Sequence, residues 1–121
     1  MERLILVQHL RAALAAHELW RAHLVSAVLT GKATMTVPEA RSEDRCAFGR
    51  WLLQLGRLPE VPQVAQVAGL HARFHEEAAD VLDLALAGRR ADATRAIGPG
   101  SRFDLASQAL TAALGAWAEQ V

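Results

Sequence analysis

Apolar residues recur every three or four positions along almost the whole chain, and no stretch alternates convincingly with period two. The pattern is helical throughout. Over residues 2–29 the inner stripe reads Val7, Leu10, Leu14, His17, Leu24 and Val28, which predicts a first long helix ending near Gly31. Residues 31–44, "GKATMTVPEARSED", read as a connector of turn-forming residues and a proline. A short helix is expected over residues 45–55, "RCAFGRWLLQL", with Asp44 or Ser42 as its cap. Gly56, Pro59 and Pro62 break the chain before a third helix over residues 63–87, which stops at Gly88 as the C′ residue. Its stripe runs Val64, Val67, His71, His75, Ala78, Leu82 and Leu86, with Arg73, Glu76, Glu77 and Asp80 pointing outward. After "RRADATRAI" and the punctuation of residues 98–101, a last helix carries Phe103, Ser107, Leu110, Leu114 and Trp117 along one face. The expected fold is all-α: an antiparallel four-helix bundle, with the cysteine carried on a short extra helix.

Length and composition narrow the setting. A chain of 121 residues, 52% apolar, is expected to form one domain over residues 1–121 with a real core. Formal charge is zero and no block of like charge occurs, which argues against nucleic acid or an anionic membrane as partner. No apolar run is long enough for membrane insertion. The opening "MERLILVQHLRAALAAHELW" lacks the apolar core and cleavage site of a signal peptide. His9, Arg11 and Glu18 fall within it, and Arg21 just after it, at helical intervals, so it reads as a mature amphipathic helix and the protein as cytoplasmic. Lys32 is the only lysine among many arginines and alanines, a bias that suits a GC-rich bacterial genome.

Histidine placement changes the picture more than composition does. His71 and His75 lie one helical turn apart on the same side of their helix, a spacing that presents two nitrogens to one metal. His17 also occupies an apolar seam, and buried imidazoles without partners are costly. Cys46, the only cysteine, opens the short helix; taken alone it is a small hydrophobe, a nucleophile, a redox sensor or a metal ligand. The economical common explanation is a metal ion held by His17, Cys46, His71 and His75 at the bundle centre. One thiolate with three imidazoles suits Zn²⁺, and the positive end of a helix dipole at Cys46 suits an anionic ligand. His23 stands about 120° around the helix from His17, and His9 about 12 Å along the axis from it, so both are expected at the surface or its boundary. A closed four-ligand site leaves no position for substrate, and "HARFHEE" is not H-E-x-x-H. Nor do the ligand helices offer the Glu-x-x-His pairs of a di-metal carboxylate bundle. The expectation is that the protein is not an enzyme.

Four pieces in order carry a family resemblance: "HELWRAHL" at 17–24, "CAFGRW" at 46–51, "LHARFH" at 70–75 and "SQALTAAL" at 107–114. Together they resemble the chemoreceptor zinc-binding (CZB) domain of bacterial chemoreceptors and some diguanylate cyclases, here in a stand-alone form. The resemblance implies the same zinc ligands, His17, Cys46, His71 and His75. It also implies a sensory role, reporting zinc availability or oxidation of the zinc-bound Cys46 through a helix rearrangement. Trp20 and Trp51 accompany the ligands in these motifs and are expected to pack around them. Gly49 is expected to permit close backbone approach, Asp44 either to accept from a ligating imidazole or to cap the helix, and Ser107 either to touch the site or to fill a tight seam. With no signalling domain attached, the output is expected to act through a homodimer or in trans on a bacterial signalling protein of chemoreceptor or diguanylate cyclase type. The rival reading is a structural zinc rivet in an interaction module without a switch; zinc buffering is a third.

Overall fold

The computed structural model describes residues 3–55 and 61–120, and the expected chain-breakers Gly56 and Pro59 lie outside them. Helix α1 spans Arg3–Thr30, α2 Val37–Arg41, α3 Ala47–Leu55, α4 Pro62–Leu86, α5 Arg90–Ile97 and α6 Arg102–Gln120. A single 3₁₀ turn, Glu43–Arg45, joins α2 to α3. There is no strand among the described residues, and the fold is an all-α bundle.

Four helices alternate in direction. Gln63 at the start of α4 hydrogen-bonds Gln120 at the end of α6, so these two run antiparallel. Arg21, late in α1, pairs at 2.8 Å with Asp104 at the start of α6, which sets that pair antiparallel as well. Helix α3 begins beside His17 and leads back towards His9, where Trp51 stacks on the imidazole. The core between them is the expected one in outline. Leu10, Leu24, Val28, Val64, Val67, Leu82, Leu110, Leu114 and Trp117 are all buried. Val7 and Leu14 are only half-buried, and Leu86 is exposed; Ala13, Ala27, Phe74 and Ala85 take the seam instead. The three alanines fit where the helices cross closely and leave little room between backbones, while Phe74 fills the wider space beside them.

Helix α4 ends as expected. Gly88 has φ +77°, its N–H donates to the Ala85 carbonyl, and the Arg89 N–H donates back to Leu84, the paired bonds of a Schellman termination.

Two helices were not expected. The connector contains α2, started by a capping box in which Thr36 and Glu39 satisfy each other's backbone N–H groups, with Pro38 in the first turn. Its Ala40 is fully buried and packs into the core. The segment "RADATRAI" forms α5, which buries Ala93 and Ile97 and closes one end of the bundle against α1, α4 and α6.

Candidate metal centre

The centre sits where α1, α4 and the start of α3 meet. His17 comes from the middle of α1, and His71 and His75 from successive turns of α4. All three imidazoles are at most 5% exposed. Cys46 is half-buried and stands one residue before α3, with extended backbone (φ −76°, ψ 136°), rather than inside its first turn as the sequence suggested. It acts as the N-terminal cap residue: its carbonyl accepts from the Arg50 N–H, and its own N–H donates to Glu43. The 3₁₀ turn displaces the helix start by that residue.

One nitrogen from each imidazole and the Cys46 sulfur all lie within 4.8 Å of one another. Backbone carbonyls orient two of the rings. His17 Nδ1–H donates to Ala13 at 2.6 Å, and His75 Nδ1–H donates to Ala40 at 3.0 Å. A ring that donates from Nδ1 presents a lone pair at Nε2, the form a metal ligand needs. His75 Nε2 faces His71 Nε2 at 3.0 Å, close to the roughly 3.3 Å edge of a tetrahedron of zinc-bound nitrogens. His17 Nε2 is buried with no partner of any kind. An orphaned buried nitrogen beside two converging ones and a sulfur is what a bound cation resolves, and the donor set fits zinc.

Electrostatics hold the rings neutral. Burial pushes the His71 pKa down to about 3, and the neighbouring His75 and His17 add to the shift. Burial likewise lowers His17 and His75, opposed in part by the hydrogen bonds to Ala13 and Ala40. Neutral imidazoles are competent ligands without first losing a proton.

The surrounding residues divide. Trp20 packs edge-on against His75, with ring centroids 5.3 Å apart, and against Phe74. Trp51 reaches the centre only through Phe48, whose ring lies edge-on to His71 and His17; its other faces meet His9 and Trp117. Gly49 is required by space: a Cβ there would fall 1.9 Å from the Glu43 carbonyl oxygen and 3.1 Å from His71 Cε1. Asp44 takes neither expected role. Its carboxylate accepts from Ser42 Oγ, and no imidazole donates to it. Ser42 and Asp44 therefore satisfy each other rather than capping α3. Ser107 is half-buried and makes no hydrogen bond to any of the four. His9 and His23 are exposed, as expected. The residues missed by sequence reasoning are Ala13 and Ala40, which act through their carbonyls. A carbonyl leaves no trace in residue identity, although the T-V-P-E capping box would have revealed the helix that carries Ala40. A cleft of about 270 Å³ lined by Trp20, Met35, Glu39, Arg45, Cys46 and His75 opens the centre to solvent on one side.

Fold and centre together define a helical metal-binding bundle with three histidines and one cysteine at its heart. The family model described as the chemoreceptor zinc-binding domain matches residues 17–82, more than half of the chain, and the chain belongs to that family. The match contains all four clustered residues; the "SQALTAAL" piece of α6 lies beyond it. Neither the curated proteins nor the solved structures gave a match. Zinc is thus the cofactor that the family and the donor set both indicate. No described helix is long and apolar enough to cross a membrane.

Proposed function

We propose that the protein is a sensory domain in which His17, Cys46, His71 and His75 ligate one Zn²⁺ and in which the state of that centre sets the packing of three helices. The carrying observation is the origin of the four donors: α1, α4 and the turn before α3 each contribute, so the centre ties elements far apart in sequence. Zinc, when bound, neutralises the converging lone pairs and the sulfur charge. Without it, His71 Nε2–H donates to His75 Nε2, while His17 Nε2 is left buried and unpartnered. Solvation of that orphaned nitrogen moves α3 and its 3₁₀ turn, which carry Cys46, against α1. Such a movement is the signal, whether produced by zinc loss or by oxidation of Cys46, a half-buried thiol reached through the open cleft.

The signal passes to a partner, either a second copy of the chain or a bacterial signalling protein in the cytoplasm. Leu4, Ile5, Leu19 and Leu29, all exposed along α1, supply apolar surface for a homodimer. The unit that folds and responds is residues 1–121, and it has no catalytic step of its own. The deciding experiment compares zinc-loaded and chelated protein by metal analysis, circular dichroism and hydrogen exchange. Retained helicity with faster exchange confined to α3 and the turn before it supports the switch. Global unfolding on chelation replaces it with a structural zinc rivet, and no change at all leaves only zinc storage.

A further inference from the structure

A second cavity lies away from the open side of the centre. It holds about 560 Å³ between α3 and the first half of α4, within the size range of small-molecule sites. Its apolar lining is formed by Leu52, Val64 and Ala68 inside and by the exposed Leu53 and Ala65 at the mouth, and its rim is polar, formed by residues 41–44. His71 closes its inner end. Leu53, at 65% exposure, is a large apolar side chain left in solvent at the cavity mouth.

His71 differs from its two fellow imidazoles in one respect. His17 and His75 each use Nδ1 on a backbone carbonyl, whereas His71 Nδ1 has no hydrogen-bond partner among the described residues. It is also not among the sealed, partnerless buried atoms, where, among the described residues, only His17 Nε2 is found. With Nε2 turned towards His75, Nδ1 is the nitrogen left for the cavity. A metal-ligating imidazole ordinarily donates its second N–H to an acceptor, and here no described residue supplies one.

We propose that this cavity is a binding site for a small uncharged molecule with a short aliphatic body and an amide-type head, its carbonyl accepting from His71 Nδ1–H. The apolar lining takes the body. The rim selects the head: Glu43 and Asp44 place two carboxylates there, and the one guanidinium, Arg41, is already paired with Asp80 at 3.0 Å. A carboxylate ligand would meet repulsion, while an amide offers its own N–H groups to those acids. The inference rests on the zinc reading in one respect: a metal at Nε2 holds the proton on Nδ1. An occupied cavity would then fix the orientation of His71 and give the centre a second, chemical input.

The test uses full-length zinc-loaded protein and hexanamide as probe. Zinc per chain is measured separately, so that failure of the metal reading and failure of the cavity reading are told apart. Titration calorimetry should give one saturable site, with the His71 Nδ1 resonance moving in ¹⁵N-histidine spectra. Hexanoate should bind about tenfold more weakly, as should hexanamide to Ala68→Leu, which fills the cavity. Leu53→Asp, at a position too exposed to be needed for folding, should show the same loss. Absence of saturation, an unmoved His71 resonance, or equal affinity for hexanoate and for both variants would overturn the proposal.

Discussion

His71 and His75 approach each other Nε2 to Nε2 at 3.0 Å inside a core where both are 1% exposed. Because His75 donates from Nδ1 to Ala40, its Nε2 carries a lone pair, which without a metal accepts from His71 Nε2–H. Zinc should replace that one hydrogen bond with bonds to both nitrogens, take up the orphaned His17 Nε2 and so stabilise the fold. At free zinc about 1,000-fold above the dissociation constant, linkage adds roughly 4 kcal/mol to unfolding. Scanning calorimetry with and without chelator measures it directly. Identical melting in the two samples would show that these nitrogens hold no metal.

Replacing His17 should reverse sign with metal. Its Nε2 is buried and unpartnered, a condition that costs about 1–3 kcal/mol. In chelator, His17→Leu should therefore unfold at higher denaturant than the wild type. In zinc the order should invert, because the variant has lost a ligand. Chemical denaturation under both conditions gives four midpoints, and a variant less stable in both would refute the orphan-atom argument.

The metal-free protein should lose stability as pH falls through the histidine range. His17, His71 and His75 all have folded-state pKa values below the ordinary 6.5, His71 near 3. Between those limits the unfolded chain binds more protons than the folded one. Stability is full above about pH 6.5 and declines below it, by about 1.4 kcal/mol per pH unit for each excess proton. A urea series from pH 7.5 to 4.5, with chelator throughout, tests the direction; flat or rising stability towards acid would contradict the buried neutral rings.

Glycine positions offer an internal contrast. Gly49→Ala would drive a methyl into the Glu43 carbonyl, so the turn holding Cys46 must shift, at a cost of several kcal/mol or with loss of zinc affinity. Gly69→Ala, in α4 with nothing within 4 Å of the new methyl, should instead stabilise by about 1 kcal/mol. Thermal melts and zinc titrations of the two variants should move in opposite directions.

Much of this was readable from residue order. Periodicity located the long helices because burial of one face is what makes a helix of this length persist in water, and Gly88 marked a terminus through its backbone freedom. Three histidines in apolar seams announced a centre, since core seams exclude polar atoms unless something satisfies them. The short elements were less legible. Helices α2 and α5 have five and eight residues, too few for a periodic signal, and exist because the long helices offer Ala40, Ala93 and Ile97 a place to be buried.

By itself, then, the amino-acid order determined the bundle class, the seams and the identity of the four clustered side chains, all properties of local pattern and residue chemistry. Tertiary structure alone decided that Cys46 stands before α3 rather than within it. It decided also that Asp44 turns to Ser42, and that Ala13 and Ala40 orient two imidazoles while His71 faces a cavity. The Ala40–His75 contact and the cavity depend on where one backbone lies against another, 35 residues apart in the first case. The Cys46, Asp44 and Ala13 relations span only two to four residues and became visible once the backbone path was known, since residue identity does not encode the direction of a carbonyl.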